Sequence, residues 1–158
     1  MKNKKILLLF SFIFLVLIVT GGVIVFLLTR QTNELIGKWK AETNGAEVTL
    51  EVSENKLGYT YKEEIEGKGI EIKVDLDYKI TSQNGLQYSV EVSNPEVNIS
   101  GEAVSSEPVS TIDEMKTSLK DQFESESGNK ADFVLSQDKK QVTQTGKQSN
   151  NSQVFNRI

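Results

Sequence analysis

The sequence predicts one N-terminal membrane-spanning helix followed by a single, mainly antiparallel β domain, a barrel or a sandwich, with one α-helix. Three observations lead there. Ile6 to Thr29 runs twenty-four residues without a charge. Ile70 to Thr81 alternates apolar and polar side chains, most of the polar ones charged. Turn-forming segments recur about every 10 residues from Asn44 onward, the rhythm of hairpin-connected strands.

A helix of twenty-four residues spans about 36 Å, enough to cross a hydrocarbon core of about 30 Å with some tilt. Lys2, Lys4 and Lys5 precede the run and Arg30 alone follows it. That asymmetry keeps the N-terminus in the cytoplasm and exports the rest of the chain. The expected division is 1–5 as a cytoplasmic basic end, 6–29 as the anchor, 30–34 as a spacer and 35–158 as an extracytoplasmic β domain. The localisation that follows is a single-pass cell-membrane protein. A cleaved signal peptide is the competing reading, with Val19-Thr20-Gly21 as its best processing site. Gly22 to Leu28 continues apolar, so cleavage there would leave a greasy N-terminus on the mature protein.

Charge divides sharply at Arg30. The chain beyond it holds all 22 acids and 14 of the 18 bases, a net charge of −8. Such a domain is repelled by nucleic acid and by anionic membrane surfaces. The sequence contains no cysteine and no histidine. Disulfides, thiolate chemistry, Ser-His-Asp or Cys-His pairs and His-based zinc sites are therefore excluded. An enzyme built on this chain would have to use carboxylates, Lys, Tyr or a Ser-Lys pair. No phosphate-binding loop, dinucleotide glycine pattern or G-x-S-x-G is present. No cofactor is expected.

Past the spacer, Leu35, Gly37, Trp39 and Ala41 share one face if Ile36–Glu42 is a strand. Asn44-Gly45 is a type I′ turn signal. Ala46, Val48, Leu50 and Val52 then alternate with polar residues, the pattern of a half-buried strand. Glu54-Asn55-Lys56 turns the chain, and Leu57, Tyr59 and Tyr61 resume the alternation until Glu66-Gly67-Lys68-Gly69 breaks it. In the clearest strand Ile70, Ile72, Val74, Leu76, Tyr78 and Ile80 point one way. Glu71, Lys73, Asp75, Asp77 and Lys79 point the other. A slip of one residue would bury all five charges, so the register is strongly specified. Asn84-Gly85 turns again, and Leu86, Tyr88, Val90 and Val92 return as its partner. Pro95 is expected to end that strand, with Val97 to Ala103 as a separate short one. Thr111-Ile112-Asp113-Glu114 reads as a capping box opening a helix over Thr111–Glu126, with Ile112, Met115, Leu119 and Phe123 as its apolar stripe and Gly128 as its stop. Ala131–Ser136 and Gln141–Thr145 are two further expected strands, and Gln153–Ile158 is either a closing strand through Val154 or a frayed tail.

Leu35-Ile36-Gly37-Lys38-Trp39-Lys40, opening a meander, resembles the G-x-W start of lipocalin-like small barrels. Phe133-Val134-Leu135-Ser136, followed by a turn and Val154-Phe155-Asn156-Arg157-Ile158, is similar to the closing strands of membrane-tethered members from Gram-positive bacteria. The resemblance covers Leu35 to Ile158. It implies a small barrel in which the G-x-W tryptophan closes one end by packing over the core; Gly37, on the same face two residues earlier, would leave space for that ring.

Trp39, Tyr59, Tyr61, Tyr78 and Tyr88 all fall on inward phases. Aromatics with polar tips lining a cavity are the equipment of a small-ligand site, and these five are the candidate ligand-binding residues. The competing reading is that they fill the barrel, because small barrels pack their interiors with side chains. Glu71, Asp75 and Asp77 could pair as metal ligands or as an acid and a base, but the interleaved Lys73 and Lys79 favour a solvated face. No metal site is expected. The expected function is a non-catalytic, membrane-tethered extracytoplasmic binding or accessory protein. Its partners would be a small apolar ligand or another membrane or surface protein. A structural subunit whose β domain caps a membrane complex is the alternative. A deep apolar pocket would favour the first, and a filled core with a large exposed apolar patch the second.

Overall fold

The computed structural model describes residues 33–43, 45–125, 130–145 and 152–158. The expected anchor, Asn44 and Gly128 lie outside the described residues. Among the described residues no helix is long and apolar enough to cross a membrane.

Eight strands and one helix follow in order: β1 (Gly37–Thr43), β2 (Ala46–Val52), β3 (Lys56–Ile65), β4 (Lys68–Asn84), β5 (Gln87–Ser100), α1 (Val109–Glu124), β6 (Lys130–Leu135), β7 (Gln141–Thr145) and β8 (Ser152–Arg157). Each strand pairs antiparallel with the next, and β8 pairs back onto β1. The sheet is therefore a closed barrel, not a sandwich. This is the architecture that the lipocalin-like resemblance implies.

Alternation explains the pairing. Leu50, Tyr59, Val74 and Val97 lie in one cross-strand row, and the first three are buried. One residue on, Glu51, Gly58 and Asp75 form an outward row. The charged outer faces interlock across strands: Lys38 with Glu51 at 3.0 Å, Lys62 with Glu71 at 3.1 Å, Lys56 with Asp77 at 2.7 Å and Lys79 with Glu91 at 2.6 Å. These pairs are solvent-screened and hold register more than they stabilise.

The β4–β5 hairpin is longer and less regular than the alternation predicts. Thr81 is an extra residue in β4, since Ile80 pairs with Val90 and Ser82 with Ser89. The Thr81 hydroxyl donates to the Ser89 carbonyl at 3.1 Å. Nor does Pro95 end β5. Between the pairs Asp75↔Glu96 and Asp77↔Ser93, Leu76 alone faces both Asn94 and Pro95. A bulge needs no amide from one of its residues, so proline is accommodated there. Asn94 has a φ of 52° and donates from Nδ2 to Asp77 Oδ2 at 2.7 Å. The two short strands expected on either side of Pro95 are thus one.

The helix also differs from expectation. It begins at Val109, and Pro108 rather than Thr111 precedes its first turn. The amides of Thr111 and Ile112 donate to the Pro108 carbonyl at 3.0 and 3.3 Å, and no side chain caps the end. Proline's fixed φ, here −58°, suits the position just outside a helix and competes with the capping-box start. Thr111 is consequently a residue of the first turn. The apolar stripe is as expected: Met115, Leu119 and Phe123 are buried and Ile112 is half-buried. The helix packs against β5. Beyond β5, Gly101 has a φ of +123°, and a Cβ there would collide with the Gly69 carbonyl of the β3–β4 hairpin.

Candidate functional site

All five candidate aromatics are buried, none more than 7% exposed. Closure of the barrel brings them into one core from β1, β3, β4 and β5. What distinguishes a ligand site from a filled core is where their polar tips go.

Four tips are used within the protein. Trp39 Nε1 donates to the Leu35 carbonyl at 2.9 Å, turning the chain under its own ring. Tyr78 Oη donates to the Ser53 carbonyl at 2.7 Å and accepts from Asn33 Nδ2 at 2.6 Å. Tyr61 Oη donates to Glu63 Oε2 at 2.7 Å. The Tyr59 hydroxyl is hydrogen-bonded to the side chain of Gln144, a buried polar residue on β7. The Tyr88 hydroxyl is the exception. It is buried without a hydrogen bond of good geometry, although the Glu34 backbone lies close enough to influence its titration.

Burial raises the pKa of all four tyrosines, because a phenolate would lose its hydration. Glu63 adds to the rise at Tyr61, whereas Gln144 and Asn33 oppose it at Tyr59 and Tyr78. At neutral pH the phenols therefore act as neutral hydrogen-bonding groups. On the outer face, Lys73 and then Lys62 hold Glu71 below its ordinary range, and Asn94 and Lys56 do the same for Asp77. Asp77 is thus tied to Lys56 and Asn94, and Glu71 to two lysines. Among the described residues no three carboxylates are grouped to hold a metal ion.

Arg157 is the main participant that the sequence reading left without a role. Its guanidinium lies 4.9 Å from the centroid of the Trp39 ring. Nη2 donates to the Ile36 carbonyl at 2.8 Å and Nη1 to the Lys139 carbonyl at 3.4 Å. Gly37 clears space for this guanidinium rather than for the indole: a Cβ there would stand 3.2 Å from Arg157 Nη2. One arginine thus ties the start of β1, the β6–β7 turn and the end of β8 over the tryptophan. A signal existed, since Arg157 sits two residues after the inward Phe155, a charge on an inward phase. Gln144, two residues after Val142, is likewise a polar residue on an inward phase, though uncharged.

These contacts define two ends. The base holds Asn33, Trp39, Tyr78 and Arg157. Tyr61 and the β3–β4 hairpin lie toward the opposite end. The chain arrives at the base, where Asn33 is tied to Tyr78 and Leu35 is buried.

No family model, curated protein or solved structure matches this chain.

Proposed function

We propose that this protein is a membrane-tethered, extracytoplasmic accessory protein of lipocalin-like architecture, non-catalytic, that works through its outer surface. The observation that carries this reading is where the polar tips of the inward aromatics go. Four of the five aromatic tips are hydrogen-bonded inside the protein, so the barrel core is built as structure. Binding is then left to the outside of the barrel. The tether is supported by the uncharged Ile6–Thr29 run, which ends four residues before the first described residue at the barrel base. A domain attached there stands on the membrane with the end nearest Tyr61 directed away.

A second reading is a small apolar ligand held among Trp39, Tyr59, Tyr61, Tyr78 and Tyr88. It is favoured by the buried hydroxyl of Tyr88, which a ligand acceptor would satisfy.

Protease treatment of intact cells or protoplasts tests the tether. Fragments of residues 31–158 should be lost from the membrane fraction. Protection of the domain, or a mature N-terminus near Gly22, would overturn it. Tyr88→Phe separates the two readings, since it removes the unsatisfied hydroxyl. It should raise stability slightly without altering what co-purifies with the full-length protein in detergent.

A further inference from the structure

Among the described residues five large apolar side chains are exposed, and two of them, Ile36 at 39% and Ile158 at 69%, sit at the base of the barrel. Arg157 Nη2 donates to the Ile36 carbonyl at 2.8 Å, and the Ile158 amide donates to the Lys38 carbonyl at 3.0 Å. Both isoleucines therefore lie at the foot of the β1–β8 seam. Lys38, paired with Glu51 at 3.0 Å, and Lys140 flank them, both exposed. The Arg157 amide donates to the Lys140 carbonyl at 2.8 Å, which places Lys140 beside the foot of β8.

Charge differs between the two ends. At the base, Glu34, Glu54 and Asp138 are offset by Lys139, Lys140 and Arg157. Around the β3–β4 hairpin, Glu63, Glu64, Glu66 and Glu102 outnumber Lys68. The excess of a domain that carries −8 is thus not at the base.

We infer that the foot of the β1–β8 seam rests in the phospholipid headgroup layer of the membrane that holds the anchor, with Ile36 and Ile158 as apolar contacts and Lys140 reaching phosphate oxygens. The inference rests on the tethered reading. Arg30, Gln31 and Thr32 separate the uncharged run from Asn33. At full extension the four steps from Thr29 to Asn33 span at most about 14 Å. A headgroup layer is itself about 5–8 Å thick, so the base clears it by no more than roughly 6–9 Å, about one Debye length. Exposed isoleucines beside a lysine suit that layer. The apolar groups enter its inner boundary, and the lysine stem follows while its ammonium stays among the phosphates. A base of balanced charge can be held against an anionic surface that repels the acidic end, which then points outward. Two isoleucines make a weak contact, and the tether supplies the effective concentration that keeps it populated.

The test uses the full-length protein in vesicles of phosphatidylcholine with a minority of phosphatidylglycerol and a phospholipid carrying a nitroxide on its headgroup. The chain has no native cysteine, so Gln137→Cys at the base and Glu64→Cys at the opposite end can each carry one fluorophore. The nitroxide lipid should quench the label at Gln137→Cys at least about threefold more than that at Glu64→Cys. Proximity from the tether alone would also favour Gln137→Cys, so the deciding step adds Ile36→Glu and Ile158→Glu, both at exposed positions. With them, quenching at Gln137→Cys should fall nearly to the level at Glu64→Cys, while Tm changes by a few degrees at most. Lys140→Glu, in an exposed turn, should by itself remove about half of the difference, and decides the matter if the double variant melts early. Equal quenching at the two sites, or quenching at Gln137→Cys that none of these substitutions lowers, would overturn the proposal. Protein left behind when the vesicles are floated would show, separately, that the tethered reading has failed and the headgroup contact with it.

Discussion

Replacing Trp39 by alanine tests the base of the barrel directly. The indole is fully buried and is the largest side chain in the core. Deleting a ring of that size from a packed interior costs about 3–5 kcal/mol. The Leu35 carbonyl also loses its donor, at about 1 kcal/mol where water cannot replace it. Arg157 loses the ring beneath it, worth about 0.5–1 kcal/mol at an exposed site. The total, near 5 kcal/mol, equals the lower end of the 5–15 kcal/mol that holds an ordinary domain together. At roughly 3–5 °C per kcal/mol for a domain of this size, Tm should fall by about 15 °C or more. Thermal unfolding of the protein in detergent, followed by circular dichroism, measures this. Trp39→Phe, which keeps a ring under Arg157 but loses the bond to Leu35, should fall by less than half as much. Trp39 is the only tryptophan, so its emission reports the same site and should be blue-shifted in the folded protein. A drop below about 4 °C, or emission typical of indole in water, would refute the reasoning.

Neighbouring positions on β4 should respond oppositely. Val74→Asp buries an unpaired charge at a position 1% exposed and should abolish folding, whereas Asp75→Val on the outer face should change Tm by a few degrees at most, as expression and melting will show. Tyr78→Phe loses two hydrogen bonds, so it should cost more than Tyr61→Phe, which loses one; about 2 against about 1 kcal/mol in chemical denaturation is the expected order. Stability should be flat across neutral pH, because the chain lacks histidine and cysteine. Glu47, Glu71, Asp77, Glu91 and Asp138 have folded pKa values below their ordinary 3.8 or 4.5, so the stability they add is complete above that range and lost as pH falls through the folded values. The tyrosines are raised above 10.0, so theirs is complete below pH 10 and lost on further rise. Melting from pH 2 to 11 should show a plateau with two shoulders, and a step between pH 6 and 8 would contradict the assignment.

Much of the barrel was legible because burial is periodic. Ile70 to Leu76 could be assigned a face from sequence alone, since the wrong face would bury Glu71, Lys73 and Asp75. The same logic placed all five aromatics inward. It faltered where a tertiary partner overrides a local signal. Pro95 reads as a stop, yet Leu76 on the neighbouring strand makes a place for it in a bulge. Thr111 reads as a cap, yet Pro108 starts the helix three residues earlier. Inwardness also did not reveal what the polar tips touch. Ser53 is 25 residues from Tyr78, and Gln144 is farther still from Tyr59. Periodicity says which way a side chain points, whereas its partner depends on which strands become neighbours.

The seam between β1 and β8 has a consequence for how the chain reaches this state. The ladders from β1 through β5 join consecutive strands and need only short loops to close. The seam joins Trp39 to Arg157 and Lys40 to Asn156, the most distant pairings in the barrel and the shortest ladder. Loop-closure entropy makes such a contact late to form, and its few ladder pairs make it early to open. Until β8 arrives, β1 and β7 are bare edges able to template pairing with other chains. Arg157, which spans both sides of the seam and covers Trp39, acts in these kinetic terms as a latch. During synthesis, that latch is made by some of the last described residues to emerge.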